Sequence, residues 1–200
     1  MPSFESYAKR FIVCALDLTP SDIASDVYVV SFYVDQGNDP RSLTVEVGFN
    51  TEARVAQTTP SLGRGPGSPV ASDADEARWN FAFWLQNELG VLGDPEKDPE
   101  GAAHAETWLR DLGLWYSDEE EDEDFEAAME KVEQISVRFT DVLVTTARQL
   151  HHDGTIARIF GRQIPVLIHE LEYYDEIAEQ NRRANPDDLA EDFARWIDDM

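Results

Sequence analysis

Bases are scarce in this chain: 16 Lys and Arg stand against 41 Asp and Glu in 200 residues, a formal net charge of −25. A surface of that sign repels nucleic acid and anionic membranes, so neither is an expected partner. It draws basic proteins, with association that weakens as salt rises. Cysteine is nearly absent, and Cys14 alone excludes an internal disulfide and a multi-cysteine metal site. Its neighbours Phe11, Ile12, Val13, Ala15 and Leu16 predict a buried, unreactive thiol. No apolar run approaches the roughly 18 residues of a membrane span. Asp17 interrupts the run after Lys9-Arg10 that would otherwise suggest a signal peptide. A cytoplasmic location is expected.

Familiar chemical motifs are missing too. Gly63-Arg64-Gly65-Pro66-Gly67 lacks the Lys-Ser/Thr of a phosphate-binding loop and does not separate a strand from a helix. His151-His152-Asp153 is not a metal pair, because adjacent histidines on a helix point in different directions, and positive charge suits a helix C-terminus in its own right. The acidic run 117–124 has no glycine where a calcium loop needs one. No nucleophile motif accompanies the four histidines. The sequence therefore assigns no catalytic residue, metal or cofactor. One enzymatic alternative stays open: a hydrolase-like site near His169 and Glu170, where an apolar strand ends.

What is present is an architecture. With 42% hydrophobic and 10% aromatic residues the chain has a globular composition. Phe4, Tyr7, Ala8, Phe11, Ile12, Ala15 and Leu16 fall at helical spacing, from a Ser3 or Pro2 start to a stop at Thr19-Pro20. Val27–Asp35 predicts a strand covered on both faces, and Leu43–Phe49 a half-exposed partner, joined through a turn at 36–40. Asn50-Thr51 caps a short helix through Gln57. Residues 58–72 read as a flexible Pro/Gly loop, and Trp79–Trp84 as a third strand, with a short helix as the alternative. A helix spans Glu100–Leu112 with Trp108, Leu109 and Leu112 on one face. The acidic stretch 117–124 is a loop that can double as a helix start. A helix about 40 Å long begins near Phe125 and ends at a left-handed Gly154. Ile164–Ile168 is a buried strand with Pro165 at its first residues or on an edge. Leu171, Tyr174, Ile177 and Ala178 predict the apolar face of the next helix, and Asn185-Pro186 starts a last one carrying Phe193, Trp196 and Ile197. The whole reads as one α+β domain: a mostly antiparallel sheet of about four strands against several amphipathic helices.

The acidity is regional. Residues 94–133 hold 16 acids and 3 bases, whereas 134–186 hold 7 acids and 6 bases. Glu119, Glu120, Glu121, Asp122, Glu123 and Asp124 therefore form the candidate partner-binding surface, fitted to a basic protein. The segment 187–199 adds to it.

Several short motifs occur in a telling order: Tyr33-Val34-Asp35, then Phe49-Asn50-Thr51-Glu52, Trp79 and Trp84 five apart, a long helix, Gly154 leading to Phe160-Gly161, an apolar strand, and Asn185-Pro186. Over residues 4–186 this order resembles the bacterial proteins grouped as domain of unknown function 4303. The Pro/Gly loop and the acidic stretch stand outside the pattern, and the Trp segment lacks its Ser-Pro. The resemblance implies a small cytoplasmic protein associated with toxin–immunity loci, one that binds and blocks a partner toxin, and it implies no catalytic residues.

Overall fold

A computed structural model describes residues 3–35, 39–59 and 70–200. The turn expected at Gln36-Gly37-Asn38 and most of the expected Pro/Gly loop, including its GRGPG patch, lie outside these residues.

The first helix, α1 (Phe4–Leu16), starts where the Ser3 hydroxyl accepts the Ser6 N–H, and it buries Phe4, Tyr7, Ala8, Ile12, Ala15 and Leu16. Cys14 falls between these positions and is exposed, not buried as its apolar neighbours suggested. Helical period, not local hydrophobicity, decides its environment.

The sheet consists of β1 (Val27–Asp35), β2 (Thr44–Thr51), β3 (Gly90–Leu92) and β4 (Val166–His169), in the order β3-β2-β1-β4. Strand β2 runs antiparallel to β1 and to β3, and β4 runs parallel to β1. The β-branched and aromatic residues of β1 alternate between two cores. Val30, Phe32 and Val34 face α1 and the long helix α6 (Phe125–His152). Val29 faces α8 (Asp175–Ala184) and α9 (Glu191–Asp198), packing with Leu167, Ile177, Ala178 and Phe193. Helices thus cover both faces of the central strands, as strands apolar on both sides require. Strand β2 is less exposed than its alternation suggested, being buried from Val47 to Thr51.

Between β2 and β3, Thr51 caps α2 (Glu52–Thr58), accepting the Arg54 N–H. The Trp79–Trp84 segment is not a strand. Asp73 caps α3 (Ala74–Trp79), Asn80 caps a 3₁₀ turn at Phe81–Phe83, and this helical path places Trp79 and Trp84 in one core. After β3 come α4 (Pro99–Asp111) and α5 (Asp118–Glu123); α7 (Thr155–Phe160) links α6 to β4. Leu112 lies beyond the end of α4, in a turn leading to a left-handed Gly113, and is exposed. Gly154 is left-handed, as expected of the α6 terminus.

Asparagine amides protect the sheet margins. On the outer side of β4, Asn181 accepts the Ile168 N–H at 2.8 Å and donates to the Ile168 carbonyl at 2.8 Å. Asn185 treats Val166 the same way, at 2.8 and 2.9 Å. Four residues of helix advance about 6 Å and two residues of strand about 6.6 Å, so amides spaced i, i+4 match alternate strand residues. The pair stands in for a missing neighbouring strand. Asn87 does the same for Phe49, where short β3 no longer covers β2, accepting its N–H at 2.9 Å and donating to its carbonyl at 3.0 Å. A Cβ on Gly48 would lie 2.6 Å from the Asn87 carbonyl oxygen, so this close approach needs glycine. Asn185 is therefore not the cap of the terminal helix. Asp187 turns the chain at a φ of 49°, and α9 begins at Glu191.

Candidate interaction surface

The acidic stretch folds as the helix α5, not as a loop. The Ser117 hydroxyl accepts the Glu120 N–H at 3.2 Å, and the Glu120 carboxylate accepts the Ser117 N–H at 2.8 Å, a reciprocal box that fixes the first turn. Four carboxylates in that turn sit where the helix dipole favours negative charge. Asp124 then ends α5 and caps α6, accepting the Ala127 N–H at 3.0 Å.

These roles divide the candidate residues. Glu120 and Asp124 are committed to caps. Asp118 pairs with Arg41 at 2.7 Å, and Arg41 also bonds Asp39 at 2.8 Å and the Tyr116 carbonyl at 3.1 Å. Hydrogen bonding to Asp39, and then to Asp118, holds that guanidinium charged above its ordinary range. Glu119, Glu121, Asp122 and Glu123 have no ion-pair partner among the described residues. Phe125, which opens α6 directly behind them, is 62% exposed. In the sequence Glu119 to Asp124 group alike; Ser117 at the cap and Glu120 three residues on were the signal that could have separated the capping acids from the rest.

His169 and His151 are held in the interior by hydrogen bonds. His169 is 1% exposed, enclosed by the rings of Phe81, Trp84 and Tyr33 at centroid distances of 4.8, 5.4 and 5.7 Å. A carbonyl can only accept, so Nδ1 donates to the Glu170 carbonyl at 3.3 Å, and Nε2 accepts from the Ser31 hydroxyl at 2.8 Å. Desolvation pushes its pKa down to about 4. Ser31 is buried as well, so this Ser–His contact is closed to any substrate-sized molecule. His151 is buried and bridges Gln163 and Asn185, whereas His152, about 100° round the helix, is exposed. Among the described residues no group of three or more His, Cys, Asp or Glu is placed to hold a metal ion. Nor is any helix among them long and apolar enough to cross a membrane.

The segment after β4 departs from expectation. Helix α8 begins at Asp175, so Leu171 and Tyr174 precede it and point outward, 72% and 43% exposed. Only Ile177 and Ala178 of that expected apolar face are buried. Acids at Asp175 and Glu176 favour the helix start there.

Compared with family models, with curated proteins and with solved structures, the chain finds no match.

Proposed function

We infer that the chain is a non-enzymatic, cytoplasmic protein that binds a basic protein through α5 and the start of α6. The observation that carries this reading is the set of four carboxylates, Glu119, Glu121, Asp122 and Glu123, without ion-pair partners among the described residues, on a helix whose first turn is closed by a capping box. Exposed Phe125 beside them supplies an apolar contact within the charged field. A preformed acidic face steers a basic partner at long range and costs little ordering on contact. The partner class that the family resemblance implies is a toxin, with this chain as its immunity factor. A site at His169 and Glu170 gains no support from an imidazole sealed beneath three aromatic rings.

The test is affinity capture from the source organism's lysate, run in parallel with the wild-type chain and with Glu119→Gln, Glu121→Gln, Asp122→Asn and Glu123→Gln combined. A basic protein retained by the wild type at low salt and lost with the variant supports the reading. Equal retention by both removes α5 from the interface.

A further inference from the structure

Beyond α5, the acidity continues along one exposed stripe of α6. Glu126, Glu130 and Glu133 are all exposed and none has an ion-pair partner among the described residues. At about 100° per residue these positions, with Val137, stay within one narrow sector of the helix. Lys131 and Arg138 project from other sides of α6, so the stripe carries no base. From Glu126 to Val137 it extends about 17 Å.

The stripe ends at a crevice where the exposed side chains of Val137 and Tyr174 lie among polar and acidic residues. Val137 and Thr140 of α6 face Tyr174 and Gln180 across a crevice of about 290 Å³. Val137 is 56% exposed, and Leu171 lies on the same segment as Tyr174. Aliphatic groups this exposed gain nothing from the fold. Around them stand Glu172, Asp175, Glu176 and Glu179, all exposed and without described ion-pair partners, and no base occurs from 170 to 180. The one nearby cation in the crevice, Arg183, is taken by Asp141 at 2.9 Å. An apolar centre inside an acidic rim, reached along an acidic track, is complementary to a basic chain bearing a large apolar side chain.

We propose that the exposed stripe of α6 binds a lysine- or arginine-rich segment of a partner protein, and that the Val137–Tyr174 crevice receives an apolar anchor residue of that segment. This rests on the protein-binding reading above and adds the path and the anchor. The cationic side chains of the segment pair with Glu126, Glu130 and Glu133, and the anchor buries against Val137 and Tyr174.

The test titrates the ¹⁵N-labelled full chain with two synthetic peptides of equal charge. One is an amphipathic repeat of lysine and leucine; the other has every leucine replaced by serine. The leucine peptide is expected to bind about tenfold more tightly, the effect of burying one large aliphatic group. It shifts the amide signals of Val137, Tyr174 and Gln180 together with those of Glu126, Glu130 and Glu133. Val137→Ser, at the surface, removes the leucine advantage and leaves the serine peptide's affinity unchanged. Equal affinity for the two peptides, or an advantage that survives this substitution, overturns the anchor while leaving an acidic binding face intact. Binding of neither peptide also overturns it, and the capture experiment decides the broader reading separately.

Discussion

Lowering the pH from 7 toward 4 should destabilise the fold through His169 specifically. In the unfolded chain this imidazole takes a proton near its ordinary value of 6.5; in the fold, desolvation delays protonation to about 4. Between those values the unfolded state binds more protons, so stability rises with pH across the window and is fully present above about 6.5. A displacement of that size corresponds to about 3 kcal/mol lost by pH 4. The assay is urea unfolding at pH 5.0, 5.5, 6.0 and 7.0, followed by tryptophan fluorescence, on the wild type and on His169→Gln. The variant is less stable at pH 7, because the ring leaves space among Phe81, Trp84 and Tyr33. Its stability should also fall less steeply with acid, by about 1.4 kcal/mol per pH unit below pH 6. Every other ionisable group is common to the two proteins, so its contribution cancels in the difference. Parallel pH profiles would refute the argument and place His169 in contact with water.

Three further outcomes follow from the packing. Asn181→Leu keeps the volume but strands the Ile168 N–H, the Ile168 carbonyl retaining its bond from Gln180; a loss of about 2 kcal/mol in denaturant unfolding is expected, and no loss would mean that the β4 edge does not need its amides. Gly48→Ala drives a Cβ to 2.6 Å from the Asn87 carbonyl oxygen, so stability should drop by about 2 kcal/mol or more, whereas Ala at Gly113, where a Cβ meets no atom within 4 Å, should cost only its backbone strain. Cys14 should react with a thiol reagent in the native protein at a rate near that of the urea-unfolded chain, and protection by folding would restore the buried assignment.

Much of the architecture was legible because hydrophobic period is a direct consequence of burial. α1, β1 and α6 stand where their spacing put them, and Pro165 directly precedes the edge strand β4, accepting the Val30 N–H with its carbonyl. Three of the misreadings share a different cause, competition from polar side chains for backbone groups. Asn80 and Asp73 turned an alternating aromatic segment into helical turns, and Ser117 with Glu120 turned an acidic loop into a helix. Asn185, which reads as a cap before proline, was recruited by β4 across 19 residues of sequence. Such long-range amide pairing leaves no periodic trace. The acidic surface was visible as composition, but its division into capping, paired and unpartnered carboxylates depended on contacts such as Arg41–Asp118, far apart in the chain. The α6 stripe was hidden for a related reason: the exposed Val137 and Tyr174 that mark its end meet across a crevice only in the folded chain.

On the proposed function, recognition is carried by Glu119, Glu121, Asp122 and Glu123 of α5, which have no ion-pair partner among the described residues. The most direct measurement is the affinity for the captured partner, by isothermal titration across a series of salt concentrations, of the wild type and of the variant neutralised at Glu119, Glu121, Asp122 and Glu123. The account predicts weaker binding by the variant at low salt and a flatter decline as salt rises, since exposed charge contacts are the ones that salt screens. Equal affinities with parallel salt dependence would contradict it.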